Sequence, residues 1–273
     1  MKKLNIKPEI KRMIPLILVA AALLFWYLNI RLIAVNKTNL ESDKIVGELK
    51  FVLISDLHGE SFGIDNYRLI NKIRHVNPDL IFAVGDMCEK DSASDRKTAV
   101  NLLASLAYEF DVYFVPGEHD RDTFFYNELS SVGVHVMNYK SERLTLNGSD
   151  LCIYGIDNSY YSATFDLSNE FELDDSVYNI LLAHIPNQKA FASFGCDLTL
   201  CGDTHGGIVR LPFVGALTDG SRLFPELYGI PSKGLYEYEG GAMYITSGLG
   251  NYPVPFRMFN LPEIAVISLS SPK

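Results

Sequence analysis

The chain has 273 residues, nearly half of them apolar, enough to bury the core of one large domain and too hydrophobic for extended disorder. Its formal charge of −9 excludes a sequence-independent grip on nucleic acid, which depends on Lys and Arg neutralising phosphates. The acidity belongs to the body, because Lys2, Lys3, Lys7, Lys11 and Arg12 face only Glu9, a local +4 that leaves −13 on the remainder, so any phosphate chemistry there must rely on metal ions.

Met13 to Ile30 carries no charge over eighteen residues, and Leu32 to Val35 extend the apolar run, a length suited to a membrane-spanning helix. Trp26 and Tyr27 stand toward one end, where interfacial aromatics belong. The basic cluster before the span outweighs Arg31 and Lys37 after it, which predicts a body outside the cytoplasm. An uncleaved anchor is expected over a cleaved signal peptide, since Leu32 and Ala34 form a poor small-residue cleavage signature. Residues 1–35 are thus read as tail and anchor, the polar stretch 36–48 as a tether, and 49–273 as the folded domain.

Within the body, Lys50 to Asp56 reads as a strand entering a loop, Asn66 to His75 as a helix, Asp79 to Asp86 as a buried strand, Asp95 to Ala107 as a helix, and Val112 to Gly117 as a strand. This alternation implies a sheet with helices on its faces and ligands at the carboxyl ends of its strands. After Asn127 shorter strands follow, at Gly133 to Met137, Glu142 to Asn147 and Leu151 to Asp157, where a second sheet is expected to start. Tyr178 to His184 and Asp197 to Asp203 are further buried strands, separated by a helix from Asn187 to Phe194. Both halves read as one fold with two related layers.

Polar groups recur where these strands end: Asp56-Leu57-His58, Gly85-Asp86, Gly117-Glu118-His119-Asp120, His184, and Gly202-Asp203-Thr204-His205-Gly206-Gly207. Each piece alone is ordinary turn chemistry. Together they are not, because carboxylates gathered at one sheet end repel one another unless cations bind among them. His75, His135, Asp157 and Asn158 are explained by helix-end, strand and turn positions and stay outside the site. Cys88, Cys152, Cys196 and Cys201 lack C-x-x-C spacing and read as buried free thiols.

The order Asp-x-His, Gly-Asp, Gly-Asn-His-Asp, His, Gly-His-x-His resembles the signature of calcineurin-like phosphoesterases, and the chain is similar to their membrane-anchored bacterial subgroup over residues 49 to 269. That resemblance implies a four-layer α/β/β/α sandwich with an N-terminal transmembrane helix and a two-metal site. By position, Asp56, His58 and His205 correspond to ligands of one metal, Asp86 to the bridging carboxylate, and Glu118, His184 and Asp203 to the second metal. His119 corresponds to the histidine that contacts the scissile phosphate and protonates the leaving oxygen, with Asp120 as its orienting partner. The implied reaction is hydrolysis of a phosphodiester or pyrophosphate by a metal-bound hydroxide. The subgroup includes enzymes acting on lipid-linked pyrophosphates of the UDP-diacylglucosamine type, so the expected partners are a phosphorylated small molecule or lipid-linked substrate and the membrane, with no nucleic acid.

Two positions depart from the family: its Asn is Glu118, and the first His of its Gly-His-x-His is Asp203. Both changes add a carboxylate, which favours harder ions, with manganese expected first and magnesium, iron or zinc as alternatives. Because each altered residue can still ligate, a working enzyme is expected over a membrane-anchored binding protein with a degenerate second metal site. The apolar segment Ile208 to Tyr238 reads equally as packing over the second sheet or as a surface touching lipid.

Overall fold

A computed structural model describes residues 8–157 and 166–272. The basic residues Lys2, Lys3 and Lys7, and Asn158, lie outside the described residues. A first helix, α1 (Pro8–Arg31), leads into β1 (Ala34–Glu41) and β2 (Glu48–Ile54). Then come α2 (Tyr67–Val76), β3 (Leu80–Val84), α3 (Ala93–Ala107), β4 (Asp111–Val115), α4 (Thr123–Ser131) and β5 (His135–Val136). The second half holds β6 (Lys140–Leu146), β7 (Ser149–Gly155), β8 (Tyr178–Leu182), α5 (Gln188–Phe194), β9 (Leu198–Cys201), β10 (Arg210–Leu211), β11 (Gly215–Ala216), β12 (Gly234–Tyr238), β13 (Gly241–Ile245) and β14 (Glu263–Ser270).

One six-stranded sheet runs β1-β14-β2-β3-β4-β5 and the other β12-β13-β9-β8-β7-β6. The expected four layers are present. Leu69, Ile73, Leu102, Leu106, Phe125 and Leu129 of α2, α3 and α4 pack on Val52, Ile54, Ile81 and Phe114 of the first sheet. Its other face, with Phe51, Leu53, Phe82 and Val115, meets Leu151, Ile153, Ile180, Leu182 and Leu200 of the second. Phe191 and Phe194 of α5 cover that sheet's far side. Each fully buried Leu, Ile or Phe here contributes about 1.5–3 kcal/mol, which is why the central strands are continuous apolar runs rather than alternating ones. Side chains of Ser92, Asp122 and Asn187 accept backbone N–H groups at the starts of α3, α4 and α5.

β2, β3 and β4 run parallel, as do β7, β8, β9 and β13, so their carboxyl ends converge on one rim. Two expectations are corrected. Gly133 to Met137 does not open the second sheet, because β5 pairs with β4 in the first. The stretch expected as a tether is sheet over most of its first half: β1 pairs in parallel with β14 from Ala34 against Glu263 to Glu41 against Ser270. As an edge strand it buries little, so its Asn, Lys and Glu read as linker.

The helical stretch from Arg12 to Arg31 is long and apolar enough to cross a membrane. Only Leu32 and Ile33 separate α1 from β1. Asn29, Ile30 and Ile33 are buried against the body, so helix and domain are joined without slack. All four cysteines are free and buried.

Candidate metal centre

Loops after β2, β3, β4, β8, β9 and β13 build the site, and backbone bonds lace them together. Asp56 N donates to Gly85 O at 3.0 Å, His58 N to Asp86 O at 3.0 Å, Gly202 N to His184 O at 2.9 Å, and Leu249 N to Ser55 O at 2.9 Å. Asp56, His58, Asp86, Asp203 and His205 all have φ between 46 and 69°. Side chains rarely adopt this left-handed region, and five such residues in one rim store strain at the site of the chemistry. Gly117 is required for a different reason, since a Cβ there would stand 2.2 Å from Asp86 Oδ1.

Asp56, Asp86 and His184 form one fully buried cluster, and Asp56, His58 and His205 a second that shares Asp56. His184 Nε2 lies 3.1 Å from Asp86 Oδ2, 3.9 Å from Asp56 Oδ1 and 3.8 Å from Asp203 Oδ1. His58 Nε2 is 3.9 Å from Asp86 Oδ2, and His205 Nε2 is 3.7 Å from Asp56 Oδ1. The donor set fits divalent ions. Asp56 Oδ2, His58 Nε2, His184 Nε2 and His205 Nδ1 are buried without a hydrogen-bond partner, an arrangement that costs free energy unless something else binds there. Two imidazoles are oriented for ligation: His184 Nδ1 donates to Val84 O at 2.7 Å and His58 Nδ1 donates to Glu89, which turns each Nε2 inward, able to ligate once it carries no proton.

Of the residues expected in the site, Asp56, His58, Asp86, His184, Asp203 and His205 converge. Glu118 is exposed and, like Asp203, belongs to neither cluster, but it is close enough for its charge to work on Asp203. Asp120 is also corrected. Its two oxygens accept Gly117 N at 2.6 Å and Met87 N at 2.8 Å, so it pins two ligand loops together and does not orient His119. Glu89 takes that place, with Oε2 at 2.9 Å from His119 Nδ1 and Oε1 on His58 Nδ1.

Sequence reasoning missed Glu89, whose only signal is its place three residues after Asp86 in the same strand-end loop. It also missed Tyr252, whose ring stacks on His58 at 4.5 Å and meets His119 edge-on at 4.8 Å. Buried Arg257 braces the Tyr252 loop by donating to the carbonyls of Gly248 and Gly250. Glu89→Gln is expected to lower both metal affinity and kcat by about 10–100-fold, because the two imidazoles meet different oxygens and one of these becomes an NH2 that cannot accept. Unchanged values in metal titration and steady-state assays would remove Glu89 from the site.

Burial, partly offset by His184, raises the Asp56 carboxyl to about 7. Burial works against charge on His184 too, but Asp86, Asp56 and Asp203 outweigh it and hold the imidazolium well above its ordinary value. Burial and Asp86 likewise raise Asp120 to about 7. All three favour the protonated form in the folded state. Asp56 and Asp120 therefore contribute stability to the metal-free protein that is expected to be lost as pH rises from the unfolded carboxylate range, about 4, through about 7, while burial lowers His58 and His205 and acts in the opposite direction. A divalent ion must displace protons from Asp56 and His184, so its affinity is expected to rise by up to about tenfold per proton per pH unit between about pH 6 and 8. Calorimetric titrations in buffers of differing ionisation enthalpy would read the released protons; a pH-independent affinity would refute this linkage.

Beside Asp203 and His205 a cleft of about 630 Å³ runs past Ile185, Pro186, Ile208, Pro231, Tyr252 and Pro253. Its size suits a phosphorylated small molecule or the head of a larger one.

The family model for calcineurin-like phosphoesterases matches residues 49–207. The metallophosphoesterase YkuE of Bacillus subtilis is 29% identical over 237 residues, covering 81% of this chain and 79% of that protein. A bovine transmembrane protein with a metallophosphoesterase domain is 27% identical, over 83% of this chain and 54% of its own length. Among solved structures, TT1561 of Thermus thermophilus aligns with a TM-score of 0.50 at 13% identity, covering 74% of this chain and 90% of that one, a likeness of fold.

Proposed function

The chain belongs to the calcineurin-like phosphoesterase family and is a metal-dependent phosphoric ester hydrolase, and from that premise we propose that it cleaves a phosphodiester or pyrophosphate bond in a lipid-linked substrate at the membrane. The observation that carries the hydrolytic part is the convergence of buried, partnerless ligand atoms from both sheets on one rim. In this reading Asp56, His58 and His205 would hold one divalent ion and His184 and Asp203 the other, with Asp86 positioned to serve both. Such ions supply positive charge for the phosphoryl oxygens and acidify a water molecule. Asp86 also receives His119 N at 2.8 Å, which ties the proton donor to the metal centre. With Nδ1 engaged by Glu89, His119 has Nε2 left to carry a proton to the leaving oxygen. Carboxylates outnumber imidazoles around His184, which favours manganese or magnesium there over zinc or iron.

The lipid part rests on α1, which holds the site beside any bilayer it crosses. The positive-inside pattern of residues 1–12 favours a body outside the cytoplasm, to be tested by protease accessibility on intact cells. The direct assay uses the full chain, because a cut at residue 35 would remove the buried Ile30 and Ile33. Metal-stripped protein is resupplied with manganese, magnesium, iron or zinc and offered bis(p-nitrophenyl) phosphate, p-nitrophenyl phosphate, and a nucleoside diphosphate-linked lipid with its deacylated counterpart. Metal-restored turnover that prefers the acylated pyrophosphate is expected. Equal turnover with and without acyl chains would remove the lipid from the proposal, and no turnover with any metal would remove the hydrolysis.

A further inference from the structure

The last apolar turns of α1 are fastened to the loop that carries Tyr252. Phe25 meets Phe259 edge-on with ring centroids 5.4 Å apart. Trp26 Nε1 donates to Pro255 O at 2.7 Å, and Asn29 Oδ1 accepts Phe259 N at 2.9 Å. Arg31, the first charge after the span, closes on Glu60. Phe25 lies six residues before Arg31, roughly 9 Å down the helix axis, so the 253–259 loop reaches that far below the polar end of the span.

The surface at that depth is apolar. Val254, Phe256 and Phe259 are exposed, as is Leu32 at the foot of the helix. Phe259 shares a groove of about 500 Å³ with the hairpin formed by β10 and β11. At the tip of that hairpin Phe213 is fully exposed, at 108%, and its backbone φ is 67°. In water, Gly or Asn would avoid both the strain and the exposure of that ring.

The geometry points to a membrane-inserted rim: the 253–259 loop and the hairpin tip at Phe213 sit in the interfacial layer of the bilayer that α1 crosses, with the metal centre facing the headgroups. This rests on the reading of α1 as a membrane anchor. Lipid is what covers this surface, because the rim is continuous with the span and touches it within its aromatic belt at Phe25 and Trp26. Tyr252 and Pro253 belong at once to this loop and to the lining of the cleft. A lipid-borne phosphate therefore reaches the site without leaving the interface.

Depth can be read with nitroxide labels on the full chain in phosphatidylcholine and phosphatidylglycerol vesicles, since the four native thiols are buried. Leu16→Cys reports the anchor, Phe213→Cys and Phe256→Cys the rim, and Tyr108→Cys an exposed point at the amino ends of the strands, away from the site. The expected result is oxygen-rich, nickel-poor accessibility at Leu16, intermediate values at Phe213 and Phe256, and water-like values at Tyr108. If Leu16 is embedded while Phe213 and Phe256 match Tyr108, the rim is overturned and the anchor stands. Water-like values at Leu16 overturn the anchor and the rim together.

Discussion

Asp86→Ala is expected to abolish measurable hydrolysis, a fall of at least about 10³-fold or roughly 4 kcal/mol of barrier. Asp86 makes three contacts that no neighbour can replace: Oδ2 faces His184 Nε2 at 3.1 Å and His58 Nε2 at 3.9 Å, while Oδ1 accepts His119 N at 2.8 Å. Burial opposes its ionisation, yet protonated His184 and these bonds hold its carboxyl below the usual range, so it is a ready anion between the two clusters. Loss of function is separable from loss of fold. Wild-type protein should gain thermal stability on addition of manganese, because an ion that binds only the folded state shifts the unfolding equilibrium. The variant should melt cooperatively and gain little. Turnover within tenfold of wild type, with the metal-induced shift intact, would place the ions elsewhere.

His119→Ala is expected to keep its metals and lose about 10²–10⁴-fold in kcat on alkyl phosphodiesters, the range for a lost general acid. The loss should shrink sharply on bis(p-nitrophenyl) phosphate, because p-nitrophenolate departs without being protonated. This split separates proton donation from positioning. A merely structural role, such as supporting the ring of Tyr252 at 4.8 Å, would depress both substrates alike. Equal losses on the two esters would therefore sink the proton-donor role. Asp120→Asn is expected to act on the ligand loops and not on proton transfer. Its carboxylate bridges the backbones of Gly117 and Met87, so substitution should loosen two ligand loops and lower metal affinity before it alters the leaving-group dependence.

The four layers followed from the family resemblance, whereas the βα alternation and the six polar residues that converge on the candidate metal centre could be read along the chain. These are local properties: apolar runs mark buried strands, and polar residues at their carboxyl ends inherit a common position once the strands lie parallel. Tertiary structure decided what depends on partners distant in the chain. β1 reads as a tether because its pairing strand lies more than two hundred residues away, and an edge strand needs few apolar side chains. Asp120 adjoins His119 in sequence, but its carboxylate is turned to Gly117 and Met87, which leaves Glu89 from a different loop to reach both His58 and His119. Tyr252 and the clamp of α1 on the 253–259 loop are equally invisible along the chain, because side-chain direction at a loop is set by what packs against it and not by its neighbours in sequence.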